Sequence, residues 1–370
     1  MRDLTDSRAR RNNDATLLRN RRKPLTTIRF LAKIANVAPS TVSRALRDDP
    51  SIGLAMRQRI RELAREYHYH PNQLMHGLLT GQSGVIGIVL PQLTVSFNAR
   101  MLSAMLDSVM DAEYRSLIFE TYGNPEKVQY AVHAMIEQRV DGAILYTGRA
   151  APLPRELLFG LRSHGIPAIS IDATGETVEL DTVRTDEREL VGIAVDYLIS
   201  LGHRHIAWFN TAPSLRGEAV RHHLAQRLLS TRWCFDTPGT PGTPVQASAL
   251  LDLLLVARPG PTAVIAGDDH LAATMLAACH ERGITVPGEM SIMGCGNLTV
   301  GEFTAPRLTT IDQHPEQISR TAMRLLQSRM RDPDDPRPPA TYFIPCQLTP
   351  RASCGPPEQD HAGAGDGGDK

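Results

Sequence analysis

The sequence predicts a small all-α helix-turn-helix module followed by a larger α/β body with mostly parallel sheets. Three observations carry this reading. Apolar residues recur at helical spacing from residue 25 to about residue 70, whereas from residue 84 they come as short runs separated by helix-like segments. Charge is also divided along the chain. Over 370 residues the formal net charge is zero, yet residues 1–80 hold 16 Lys/Arg against 7 Asp/Glu, a net of +9, which the remainder balances at −9. A basic amino-terminal module on an acidic body implies a polyanion partner for the module alone.

Residues 1–24 carry eight basic residues and little periodicity, and read as a flexible basic arm. Three short amphipathic helices follow within residues 25–70. Ile28, Leu31, Ala32 and Ala35 share one face, Val42, Ala45 and Leu46 a second, and Ile60, Leu63, Ala64 and Tyr67 a third. Thr27 suits the cap of the first helix, and Asn36 tolerates the left-handed turn that ends it. Pro39 suits the first position of the second helix, where its missing N–H is not needed.

With Val42, Ala45 and Leu46 facing inward, Pro39, Ser40, Ser43 and Arg44 lie on the outer face near the N-terminal half of that helix. A helix-turn-helix presents these positions to the major groove. Arg44 can pair bidentately with guanine, Ser40 bonds promiscuously, and Pro39 offers an apolar edge to a thymine methyl. Taken alone, the same pattern also describes a surface helix of an ordinary helical bundle.

The segment YHYHPNQLMHGLLTGQSGVIGIVLP then gives a Pro-initiated short helix, Asn72 to Leu79, a Gly/Ser linker to residue 83, and a buried strand. The body, residues 84–348, contributes the runs VIGIVL, SLIFE, GAILY, PAISI, IAWF, AVIAG and MSIMG. TPGTPGTP, from Thr237, reads as a loop inside it. Residues 349–370, rich in Gly, Pro and Asp, read as a disordered tail.

Several function classes find no support. There is no GxSxG, Walker A loop or HExxH, so an enzyme is not expected, nor a cofactor. Five cysteines, widely spaced and without a CxxC pair, read as reduced and mostly buried. His222 and His223 are adjacent rather than one helical turn apart, which suits a solvated helix and not a metal site. No apolar run approaches a membrane span, and a cytoplasmic protein is expected.

TVSRAL, EYHYHPN, the short helix with Leu78 and VIGIVLP together resemble the lactose-repressor-type (LacI/GalR) family of bacterial transcription regulators. QRVDGAIL, IPAISID, YLISLGHRHIA, PTAVIAGDDHLA, RGITVPGEMSIMG and RLTTIDQ continue the match in order, so that the resemblance covers roughly residues 26–348. It implies a homodimer on a pseudo-palindromic double-stranded DNA operator. The second helix would lie in the major groove, and paired hinge helices would wedge Leu78 into the minor groove. The DNA-contacting positions are then Thr27, Pro39, Ser40, Thr41, Ser43, Arg44, Tyr69, Asn72, Met75 and Leu78. Three departures stand out: Ala38 where the family has a capping Ser or Thr, Phe30 where it has an acid, and Met75 where it has a small residue.

The resemblance further implies a two-lobed, periplasmic-binding-protein-like effector domain with a small molecule, a sugar or sugar acid, bound in the cleft. The matching positions are Phe97, Tyr146, Asp172, Arg221, Asp268, Gly296, Asn297 and Gln313. Gly296 replaces an aspartate of sugar-binding members, which removes repulsion toward an acidic ligand and leaves Arg221 to pair with it. LPQLTVSFNARML and GCGNLTVGE resemble the gluconate-repressor branch. The same residues fit two other readings: an altered effector site, or control by a protein partner. A solute-binding protein would require a signal peptide and no helix-turn-helix.

Overall fold

The computed structural model describes residues 26–69, 81–146, 154–172, 179–210, 215–236, 244–256, 259–332 and 335–358. The expected arm, the hinge helix with Asn72, Met75 and Leu78, the Thr237 loop up to residue 243 and the last twelve residues lie outside these ranges. The chain separates into two compact units, residues 1–83 and 84–370.

Among the described residues the first unit holds three helices, α1 (Ile28–Ala35), α2 (Pro39–Leu46) and α3 (Leu54–Glu66). Thr27 accepts a hydrogen bond from the Phe30 N–H, and Asn36 closes α1 at φ 54°. The Thr27 hydroxyl serves a backbone N–H that the helix start leaves unpaired, and Asn36 is one of the few residues that tolerate the left-handed conformation ending the helix. Pro39 opens α2, where Ala38 offers no side-chain cap. Leu31, Ala32, Ala35, Val42, Ala45, Ile52, Ile60 and Ala64 make the core. Phe30 meets Tyr67 edge to face, ring centroids 5.3 Å apart.

The second unit begins with β1 (Val85–Leu90), α4 (Ser96–Asp111), β2 (Arg115–Glu120), α5 (Pro125–Glu137), β3 (Gly142–Tyr146), α6 (Arg155–Ser163), β4 (Ala168–Ile171) and β5 (Thr182–Thr185). It continues with α7 (Glu187–Ser200), β6 (Ile206–Asn210), α8 (Leu215–Gln226), β7 (Cys234–Asp236), α9 (Pro244–Val256), β8 (Ala263–Ala266), α10 (Asp269–Glu281) and β9 (Ser291–Met293). The described elements end with α11 (Val300–Phe303), β10 (Thr310–Asp312), α12 (Pro315–Arg331), β11 (Thr341–Ile344) and β12 (Gln347–Thr349).

Two lobes result. One carries a six-stranded sheet, order β11-β5-β4-β3-β1-β2, and the other a four-stranded sheet, order β7-β6-β8-β9. Every pairing within these two sheets is parallel. Strands such as β1 and β3 are almost wholly apolar because helices cover both faces, and separate core clusters lie on each side of each sheet. The chain crosses between lobes three times: at Asp186, at Gln313–His314 and at Pro345–Cys346. β10 and β12, antiparallel, belong to the second lobe beside β9.

The carboxy-terminal boundary differs from the sequence expectation. The expected tail from residue 349 is packed as far as residue 358. Ser353 is fully buried; its Oγ accepts from the Thr309 N–H at 2.8 Å, and its carbonyl accepts from Ile292 N–H at 2.9 Å. The Gly355 carbonyl meets His203 Nε2 at 2.9 Å and accepts from the Ser291 hydroxyl at 3.0 Å. Local composition suggests disorder, but long-range backbone bonds to β9 order this stretch.

Candidate functional sites

On α2, Pro39, Ser40 and Arg44 are exposed, while Thr41 and Ser43 are half-buried. Val42 and Ala45 are completely buried and fix the helix phase that turns these polar groups outward. The Arg44 guanidinium lies 3.4 Å from Ser51 Oγ, a weak tie. Thr27 is exposed but spends its hydroxyl on the α1 cap. Tyr69, half-buried, packs on the module core, and burial raises its phenol above the ordinary range. Asp48, at φ 60°, receives both Arg57 and Arg61 from α3, which fixes the turn that follows α2.

In the two-lobed unit, the carboxyl ends of the parallel strands carry the polar groups, as open α/β sheets generally arrange them. On the first lobe, Tyr146 ends β3 and donates to Asn98 Oδ1 at 2.7 Å. Asp172 follows β4 at φ 56°. Phe97 lies in the first turn of α4, its ring so near Gly296 that a Cβ there would stand 3.6 Å away. Gly296 itself has φ +131°, a conformation that excludes most side chains. The chain therefore requires glycine at this place for backbone reasons as well as chemical ones.

On the second lobe, Asp268 caps α10 by accepting from Leu271 N–H at 2.8 Å. Its neighbour Asp269 is completely buried and accepts from the Leu298 N–H at 2.6 Å and the Thr310 hydroxyl at 2.5 Å. Burial pushes the Asp269 carboxyl up to about 6, against the lowering effect of those two bonds. Asn297 turns inward, donating to Asp312 Oδ2 at 2.9 Å and accepting from Arg351 at 2.7 Å.

The two arginines of α8 have different fates. Arg221 reaches Asp236 Oδ2 at 2.8 Å and the Cys234 carbonyl at 3.2 Å. Arg216 is buried at the second crossover. It donates to Glu187 Oε2 at 2.5 Å, to the Gly267 carbonyl at 2.9 Å and to Gln313 Oε1 at 2.8 Å. Gln313, an expected effector position, is bonded by Arg216. Sequence reasoning missed Arg216, Asp269, Asn98 and Arg100. The signal for Asp269 was its place in GDDHLA, and nothing local marked the other three.

Chemically, these strand ends carry a phenol, amides, carboxylates, an aromatic ring and one buried guanidinium. That set matches alternating donors and acceptors such as hydroxyl groups. None of the five cysteines forms a disulfide; burial raises Cys234 and Cys279 to about 11 and Cys346 and Cys354 to about 12, far from a reactive thiolate. Among the described residues no group of three or more His, Cys, Asp or Glu is placed to hold a metal, and no helix is long and apolar enough to cross a membrane.

Residues 27–72 match the family of bacterial regulatory proteins described as the lacI family, and residues 195–354 match the periplasmic binding protein-like domain. The chain thus joins a lacI-family DNA-binding region to a periplasmic-binding-protein-like domain. It is a DNA-binding transcription regulator and not an enzyme.

Similar proteins include catabolite control protein A of Priestia megaterium, 26% identical over 82% of this chain and 92% of that one. The transcriptional regulator DegA of Bacillus subtilis is 28% identical, covering 81% and 91%. The repressor PurR of Vibrio cholerae is 25% identical, covering 85% and 94%. Among solved structures, the lac repressor dimer bound to operator and the anti-inducer ONPF superposes with a TM-score of 0.76 at 20% identity, over 90% of this chain and 99% of that one. At that identity the likeness establishes the fold of this regulator and not its ligand.

Proposed function

We propose that this regulator is a repressor that binds a pseudo-palindromic operator as a homodimer, reading it chiefly through Arg44, and that a small polyhydroxylated effector in the cleft modulates its DNA affinity. The observation that carries the effector reading is Arg216, buried at a lobe crossover and bonded to Gln313 and Gly267. A ligand reaching these groups touches a segment whose geometry depends on the lobe angle, which is what differential affinity for two states requires. Relatives bearing the names of repressors support the sign. Tyr146, Asp172, Asp268 and Phe97 complete the candidate ligand surface, with Arg216 in place of Arg221.

A sugar and a sugar acid are distinguished by charge. Glu187 already neutralises Arg216, and Asp236 neutralises Arg221, which favours an uncharged sugar. Gly296 favours the acid only in that its own position carries no carboxylate, since the buried Asp269 carboxyl would stand 3.7 Å from a Cβ there. DNA selection from a random duplex library, with no addition, with glucose and with gluconate at fixed physiological salt, tests both. A palindrome whose enrichment changes with one compound supports the reading and chooses between the two. A palindrome indifferent to small molecules transfers control to a protein partner, and no enrichment at all removes the DNA-reading role.

A further inference from the structure

Arg100, on the first turns of α4, has no counterpart among the ligand-facing or DNA-facing groups, yet its guanidinium is among the most heavily bonded in the second unit. Its Nη1 donates to the Gly296 carbonyl at 2.8 Å and to the Asn297 carbonyl at 3.1 Å, both on the second lobe. The same nitrogen and Nη2 reach the two Asp312 carboxylate oxygens, each at 3.3 Å. Nε and Nη2 reach Glu316 at 3.1–3.2 Å.

Asp312 and Glu316 stand on either side of the Gln313–His314 crossover: Asp312 ends β10 on the second lobe, and Glu316 opens α12 on the first. A single planar cation therefore grips the loop after β9 and both ends of one hinge segment. His314 takes φ 52° within that segment and donates its N–H to Asp312. Two further contacts run parallel to the grip: His270 Nε2 lies 2.6 Å from Ser96 Oγ, and Phe97 lies against Gly296.

We infer that Arg100 is a positioning residue that sets the lobe angle from within the protein, before any effector arrives. A rotation about residues 313–314 moves Asp312 relative to Glu316. The rigid fork of the guanidinium cannot follow both carboxylates and the two carbonyls at once. The arrangement with all acceptors satisfied is favoured over others, and its population sets the apparent affinity of any ligand that selects it. Lysine, a point charge, cannot reproduce a grip on four groups. The inference concerns lobe geometry and is independent of which compound binds.

The test is a lobe-to-lobe distance measurement on the full chain by pulsed electron resonance. Spin labels sit at Glu126→Cys on α5 and Glu281→Cys on α10, both exposed and on different lobes, while the native thiols are buried or half-buried. Arg100→Gln is expected to broaden the distance distribution or shift its maximum. Hydrogen exchange at residues 296–298 and 312–316 should accelerate about tenfold or more, while the strands of the two sheets keep their protection. Arg100→Lys should fall between the two. An unchanged distribution with unchanged exchange in a folded Arg100→Gln protein overturns the inference. Should that variant not fold, Glu316→Gln, at an exposed carboxylate, decides the matter by the same two readouts.

Discussion

The Arg216–Glu187 pair allows a sharp test of why a buried charge pair sits at the crossover. Both side chains are about a tenth exposed or less, and Arg216 spends its three nitrogens on Glu187, the Gly267 carbonyl and Gln313. Arg216→Leu leaves Glu187 buried without its cation. Breaking a buried pair from one side costs about 3–5 kcal/mol, most of it the desolvation of the abandoned charge. Replacing both partners by leucine removes two desolvation penalties together with the attraction, and for such pairs the change is commonly neutral or stabilising. Urea unfolding of both variants measures the contrast: the single variant should lose about 3–5 kcal/mol, and the double variant should recover most of that. Because the Gln313 and Gly267 contacts vanish in both, neither should respond to effector, however stable the double variant is. A double variant no better than the single, or either variant that still responds to effector, would refute the claim that this pair is kept for ligand coupling rather than for stability.

Other consequences follow from the same geometry. Arg44→Ala should weaken operator binding by about 1–3 kcal/mol and relax preference at one base position, read by competition binding against operator variants. Ala38→Ser should supply the side-chain cap that α2 lacks and stabilise the amino-terminal unit by about 1 kcal/mol, measured by thermal unfolding. Asp269, raised to about 6 from 3.8, binds its proton more tightly folded than unfolded. Its contribution is therefore fully present below about pH 4 and is lost as pH rises through about 6, a change on the order of 3 kcal/mol. The stability of Asp269→Asn relative to the unsubstituted protein should accordingly rise from pH 4 to pH 7, and a flat difference across that window would show that the buried carboxyl is not strained.

How far the sequence alone reaches depends on the range of the interaction that places each residue. Thr27, Asn36, Pro39 and Val42 act within one or two turns, so the helix-turn-helix and its outward residues are legible from spacing. The parallel strands are legible as apolar runs for the same reason. Arg216 and Arg221 are different. Five positions apart on α8, they point about 140° from each other, and nothing in SLRGEAVRHHLAQ says which faces the crossover. Gly217 leaves room for the Asp236 carboxylate, which a Cβ there would meet, close beside α8. Arg221 pairs with that carboxylate, while Arg216 reaches Gln313. Arg100 lies further still from local inference, since its acceptors Gly296, Asn297, Asp312 and Glu316 are some two hundred residues along the chain. The groups proposed to read DNA are set by short-range rules and the groups that join the lobes by long-range ones. Substitutions at α2 should thus alter recognition alone, and substitutions at Arg100 or Arg216 should alter the coupling while leaving the recognised sequence unchanged.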